Sequence, residues 1–300
     1  MFHFIQMQIQ RKKQLGKVRS SETYQATLNS FMSFRCGVDL TFDMIDSELM
    51  ELYEAELQNR GLTRNTSSFY LRILRTNYKL AVEKGLTQDC HPFKRVYCGI
   101  DKTVKRSLSF AKIKQIKELD LSLTPSLDFA RDMFLFSFCT RGMSFVDMAY
   151  LKKEQVRNGC ITYQRRKTNR QLRVKIHPQA QIIIDRYMVS DPGCPYLFPI
   201  LYDPEKKTER EYSSALRVYN KRLDSLSSLL ELDEPLTSYV ARHTWASLAR
   251  QCGTSDTVIS EAMGHSHVGV TTIYLASLDI GMVAMANQRV ITSLFRKRIP

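Results

Sequence analysis

An arginine, a histidine and a tyrosine recur at close spacing between Tyr239 and Tyr274. The run Arg242-His243-Thr244-Trp245-Ala246 is followed by Gly264-His265-Ser266-His267, and Tyr274 stands nine residues after His265. These residue types suit attack of a phenol on a phosphodiester. The attacking oxygen must lie in line with the leaving one, cations or strong donors must hold the non-bridging oxygens, and a proton must reach the leaving 5′-oxygen. Arg242 suits the second task, because its planar fork grips two oxygens and stays charged. His265 can donate to another phosphate oxygen. A free phenol has a pKa of about 10, so Tyr274 would depend on such neighbours. The competing readings are a half-buried core phenol for Tyr274, a structural ion pair for Arg242 and a helix cap for His265. His243 reads as core support and His267 as a loop residue.

The elements that must position these groups are mostly helical. Helical spacing of Tyr24, Leu28, Phe31 and Met32 marks one helix, ended by Gly37. Ile45, Leu49, Leu52 and Leu57 mark a second, closed by Asn59-Arg60-Gly61. A third runs from about Arg64 to Lys84, with Tyr70, Leu71, Leu74, Tyr78 and Ala81 as a buried stripe. Beside it Arg64, Ser68, Arg72, Arg75 and Lys79 share one face, which fits a DNA backbone track or a plain solvated surface. Residues 1–20 read as an amphipathic, then basic, solvated tail. Gly99 to Arg106 reads as an exposed basic linker, where the domain boundary falls.

Beyond it, helices are expected around Ile113 and Ile116 and from Ser126 to Thr140. Ile161-Thr-Tyr163-Gln and Leu172-Arg-Val174-Lys-Ile176 then alternate about a polar turn, Lys167-Thr168-Asn169-Arg170, as a β-hairpin does. Pro178 starts a further helix and Glu209 to Leu223 is another. Thr237 or Ser238 can cap the helix holding Arg242, Ser255 the one ending near Gly264, and Asp279 opens the last.

Composition bounds the partners. Among 300 residues, 44 Lys and Arg face 30 Asp and Glu, a formal net charge of +14. That excess favours a polyanion, nucleic acid ahead of an anionic membrane. The seven cysteines form no Cys-x-x-Cys pair and no Cys/His cluster, so they read as reduced thiols of a cytoplasmic protein and give no zinc site. No signal peptide, membrane-spanning run or metal cage is expected.

At these motifs the sequence resembles the tyrosine recombinase (phage integrase) family, most closely from Arg141 to Tyr274. The resemblance is to the branch found in mobile elements and DNA inverters of anaerobic gut bacteria. It implies a mainly α fold with a small antiparallel β-sheet, in two domains. Residues 1–100 would form a helical, SAM-like core-binding domain and residues 105–300 the catalytic domain. It implies that Tyr274 forms a covalent 3′-phosphotyrosyl bond with double-stranded DNA, needing no cofactor, in a homotetramer on two DNA sites, with or without accessory DNA-bending proteins.

The resemblance makes Lys167 the general acid toward the leaving oxygen, although Arg165, Arg166 and Arg170 crowd the same hairpin as further DNA contacts. Two positions depart from the family pattern. Ser144 stands where the first arginine is usual, and Arg141, about one helical turn earlier, is the expected substitute. Tyr239 stands where a histidine is usual; a phenol donates hydrogen bonds but is a poor base. A type IB topoisomerase or a non-catalytic DNA-binding module are the competing functions.

Overall fold

The computed structural model describes residues 1–101, 106–203, 205–206 and 208–265. The fold is mainly α with small antiparallel sheets, and the chain divides into two compact units, Met1–Thr103 and Val104–Pro300. Tyr274, His267 and the expected helix after Asp279 lie outside the described residues.

The first unit is built from α1 (Phe2–Gln14), α2 (Val18–Phe34), α3 (Ser47–Asn59) and α4 (Arg64–Glu83). The leading residues are no solvated tail. Phe2, Phe4, Ile5 and Ile9 are buried, and α1 packs along α2. Each such side chain removed from water contributes roughly 1.5–3 kcal/mol. The Met1 ammonium donates to the Leu40 carbonyl at 2.7 Å and pairs with Asp39, which fixes where α1 begins. In α3 the buried stripe is Met50, Tyr53 and Leu57, and Leu52 faces water. The ring of Tyr53 meets Phe31 edge-on at 5.0 Å. On α4, Leu71, Leu74, Tyr78 and Ala81 are buried as their spacing requires. The expected loose linker is tied down at its start. Ser68 Oγ donates to the Gly99 carbonyl, and Asn65 exchanges two hydrogen bonds with the Asp101 backbone.

The second unit packs α6 (Pro125–Cys139) against α5 (Phe110–Glu118), α8 (Pro178–Tyr187), α9 (Tyr212–Leu229) and α10 (Val240–Gln251). α6 brings Met133, Phe134 and Phe136 into the core, where Phe136 meets Phe198 at 4.8 Å. After the short α7 (Phe145–Ala149) comes a three-stranded antiparallel sheet of β1 (Val156–Arg157), β2 (Cys160–Gln164) and β3 (Gln171–Lys175). Its register sets Ile161 opposite Val174 and Tyr163 opposite Leu172, and Ile161, Tyr163 and Val174 face inward. β1 adds a strand to the expected hairpin. It turns into β2 through Asn158-Gly159, both at positive φ, the residue pair a tight two-residue hairpin demands. A small ribbon, β4 (Tyr202–Asp203) and β5 (Thr208–Glu209), precedes α9, and α11 (Asp256–Ala262) follows α10. Among the described residues no helix is long and apolar enough to cross a membrane.

Candidate active site

Arg242 is the third residue of α10 and is 2% exposed. Its Nη1 donates to the Gly142 carbonyl at 2.6 Å. Its Nη2 donates to the Met263 carbonyl at 2.7 Å and lies 3.1 Å from Nε2 of His265. A guanidinium has no acceptor, so Nε2 accepts and the neutral imidazole carries its proton on Nδ1. The ring stays neutral for a physical reason. Burial first, and then the charges of Arg242, Arg165 and Lys167, push the His265 pKa down to about 3. His265 is therefore a neutral ring held beside a cation, with Nε2 accepting from Arg242 and its proton on Nδ1.

Local chain geometry brings the two together. α11 closes with a paired C-terminal motif, in which Gly264 N–H bonds the Glu261 carbonyl and His265 N–H bonds the Ser260 carbonyl. Gly264 sits at φ +64°, the left-handed conformation this closure needs, and the next residue turns back toward α10. Across the site, α6 ends at Cys139 and the chain passes through its flanking Thr140, then Arg141 (φ 61°) and Gly142 (φ 70°). A Cβ at Gly142 would fall 2.7 Å from Arg242 Cα, so only glycine lets α10 approach this closely.

The β2–β3 turn forms the third wall. Arg165 faces inward at 2% exposure and donates to the Gly264 carbonyl at 2.9 Å. Thr168 Oγ1 reaches the same carbonyl at 3.3 Å, and Arg170 donates to the His265 carbonyl at 2.9 Å. Arg166 donates its backbone N–H to Asp147 Oδ1 at 2.9 Å, and its guanidinium lies over the Tyr150 ring. The other Asp147 oxygen accepts from Ser144 Oγ at 2.5 Å. Lys167, at the exposed tip, has no hydrogen-bond or ion-pair partner among the described residues.

The sequence motifs are thus partly assembled in one place. Arg242, His265 and the hairpin carrying Lys167 converge. Arg141 is half-buried and makes no hydrogen bond or ion pair among the described residues. Its charge, with those of Arg242 and Arg165, opposes the upward push that burial and Asp147 give the Tyr163 phenol. Tyr239 is the N-terminal flanking residue of α10, 40% exposed, its ring 6.0 Å from that of His243. Neither Thr237 nor Ser238 caps α10 through its side chain; instead Asn220 Oδ1 holds the Ser238 N–H.

The crowd of hairpin cations is not one outward face, because Arg165 is spent on the Gly264 carbonyl and turned away from any surface phosphate. On α4 the expected basic track is also uneven. Arg64 is engaged by the Tyr97 ring at 3.7 Å and by Asp101 at 3.5 Å, and Arg72 leans back on its own helix. Lys79 is fully outward. In the sequence Asp147 serves only to align Ser144 with the usual arginine and Tyr150 carries no signal, yet both grip the hairpin.

Comparison with known proteins settles the class. The model of the phage integrase family matches residues 112–279, and that of the phage integrase SAM-like domain matches residues 1–96. The chain belongs to the phage integrase family. It is accordingly an enzyme of the tyrosine site-specific recombinase class. This recombinase also shares its fold with solved structures. The Tn1549 transposon integrase in complex with transposon right-end DNA aligns at a TM-score of 0.73 and 13% identity, over 96% of this chain and 99% of that one. A lambda integrase dimer bound to a COC′ core site aligns at 0.63 and 14%, over 90% and 97%. A lambda integrase tetramer bound to a Holliday junction aligns at 0.67 and 14%, over 90% and 79%. No curated protein matches the sequence.

Proposed function

We propose that this recombinase cuts and rejoins duplex DNA with Tyr274 as nucleophile, Arg242 and His265 on the scissile phosphate, and Lys167 as general acid. The phenolic oxygen of Tyr274 bonds to phosphorus as the bond to the 5′-oxygen breaks. The Lys167 proton goes to that oxygen and the phenolic proton to water. The 3′-phosphotyrosyl link conserves the bond energy, so a partner strand's 5′-hydroxyl reverses the step without ATP. The observation that carries this reading is the buried Arg242–His265 pair. It is a fixed cation beside a neutral imidazole that carries its proton on Nδ1, already desolvated and oriented, facing a hairpin whose tip lysine is unpaired among the described residues.

Arg141 supplies the second cation in place of the arginine that Ser144 replaces. Its lack of a partner among the described residues supports this. Arg165 is the second candidate: although it bonds the Gly264 carbonyl and is withdrawn from the surface, it is buried close enough to His265 for its charge to lower that ring's pKa. Tyr239 serves as a hydrogen-bond donor and not as a base. Arg75 and Lys79 contact backbone phosphates, with Arg64, Arg72, Arg166 and Arg170 contributing less because protein groups already hold them. Four protomers on two sites carry out integration, excision or inversion, as the tetrameric lambda integrase complex suggests by likeness. Residues 1–100 clamp the duplex as the core-binding domain, and residues 105–300 catalyse.

Covalent trapping tests the proposal. The protein is incubated with nicked genomic fragments of its host and denatured, with Tyr274→Phe alongside. A Tyr274-dependent DNA adduct is expected, and sequencing the trapped DNA gives the core site. DNA binding with no adduct in either sample would sink the catalytic reading in favour of a binding module. Adducts that relax supercoils without joining two sites would favour the topoisomerase reading.

A further inference from the structure

Every cationic side chain of the β2–β3 turn except that of Lys167 is engaged by protein. Arg165 and Arg170 are tied to the carbonyls of Gly264 and His265. Arg166 is held from the opposite side, and twice, by one turn of chain. Its N–H bonds Asp147 Oδ1 at 2.9 Å, and its guanidinium carbon lies 3.8 Å from the centroid of the Tyr150 ring. Asp147 and Tyr150 are three residues apart at the end of α7, so both face the hairpin. The Tyr150 ring is itself bracketed by Tyr196 at 6.2 Å and Tyr212 at 6.0 Å, so its plane is set by neighbours from two other segments.

We propose that Tyr150 is a positioning residue for strand cleavage: by clamping Arg166 it fixes the turn that presents Lys167 to the leaving 5′-oxygen. This deepens the reading of Lys167 as general acid and rests on it. Arg165, Thr168 and Arg170 hold the base of the turn on the Gly264 and His265 carbonyls, and on the opposite side, next to Lys167, the hydrogen bond to Asp147 holds only the Arg166 backbone. The Tyr150 ring under the guanidinium is the hold on the Arg166 side chain, and it fixes the tip on the side where Lys167 projects. A residue-sized swing of a turn tip is costly, because misplacing a reacting group by about 1 Å loses on the order of a hundredfold in rate. With the backbone bond to Asp147 and the holds at the base of the turn retained, loss of the contact with Tyr150 should slow cleavage about tenfold, the scale of one cation–π contact.

The test exploits the leaving group. With a bridging 5′-oxygen, the phosphorus–oxygen bond breaks as the Lys167 proton moves to oxygen. With a bridging 5′-sulfur, the phosphorus–sulfur bond breaks and a thiolate leaves, so Lys167 keeps its proton. A defect in presenting the proton vanishes on the sulfur substrate, and a defect in folding or in holding the phosphate does not. Single-turnover cleavage is measured at saturating protein, on a nicked duplex carrying the core site recovered by trapping.

Tyr150→Leu should be slow on the oxygen substrate and near wild type on sulfur, and Tyr150→Phe should keep the stack and the rate. Arg166→Gln, which spares the backbone bond to Asp147, should show the same split and serves if Tyr150→Leu folds poorly. Lys167→Ala is the control for the underlying reading. If sulfur restores Lys167→Ala but neither Tyr150→Leu nor Arg166→Gln, Tyr150 does not act through Lys167 and the proposal is wrong. If sulfur fails to restore Lys167→Ala, the general-acid reading is wrong and the Tyr150 proposal falls with it.

Discussion

Alanine at Gly142 would separate two contributions that the structure places on one residue. Gly142 sits at φ 70°, and its added Cβ would meet Arg242 Cα at 2.7 Å, Cγ at 2.8 Å and Cβ at 2.9 Å. Carbon atoms pack at about 3.5–4.0 Å, so α10 would have to retreat by roughly 1 Å. The left-handed backbone costs an L-residue about 1–2 kcal/mol and the overpacking about 1–3 kcal/mol. A total near 3 kcal/mol lowers the melting temperature of a unit this size by about 6–12 °C. The same retreat pulls Arg242 from the Gly142 carbonyl and off line with His265, so cleavage should fall on the order of a hundredfold. Gly159→Ala is the matched control. Gly159 has φ +67° but nothing within 4 Å of its Cβ position, so it bears only the backbone cost and should leave cleavage intact. Thermal melts and single-turnover cleavage of both variants decide the matter. If Gly142→Ala melts and cleaves like Gly159→Ala, the close approach of α10 is not what positions Arg242, and the reasoning fails.

The pH dependence of stability follows from His265. Its folded pKa, near 3, lies below the unfolded value of about 6.5, so protonation favours the unfolded chain. Its contribution is fully present above about pH 6.5 and is lost as pH falls toward 3. Denaturant titrations from pH 8 to pH 5 should show His265→Asn less stable than wild type at pH 8 but with a flatter slope. Parallel slopes would mean that His265 is not held neutral. Arg141→Ala should lower cleavage by about 10²–10³-fold, the worth of one preorganised donor, with an unchanged melt; an intact rate would pass the second-cation role to Arg165. In DNA-binding titrations against salt, Arg75→Ala and Lys79→Ala should each reduce the log–log slope by about one. Arg64→Ala should reduce it less, because Asp101 and Tyr97 already hold that guanidinium.

How much of this could be read from the sequence depends on how local the cause is. The spacing from Arg242 to His265 was legible because each end is set by short-range rules. α10 begins where a loop ends, and Gly264 supplies the left-handed residue that closes α11 and turns His265 inward. The hairpin was legible from its alternation, and the same alternation extends to Arg165. Ile161 and Tyr163 face inward, so the residue two further on must do so as well. That parity buries Arg165, although its charge suggests a surface contact. Parity outranks charge here because a carbonyl, that of Gly264, waits at the buried end to satisfy the guanidinium, and no local pattern announces a partner 99 residues away. α1 failed in the opposite sense. Phe2, Ile5 and Ile9 already follow a helical stripe, but glutamines between them mask it, and the residue that anchors the stripe, Asp39, lies outside the helix. Tyr150 belongs with Arg165. Nothing in its neighbourhood along the chain marks it, and its bearing on Lys167 exists only because α7 and the hairpin turn are folded against each other.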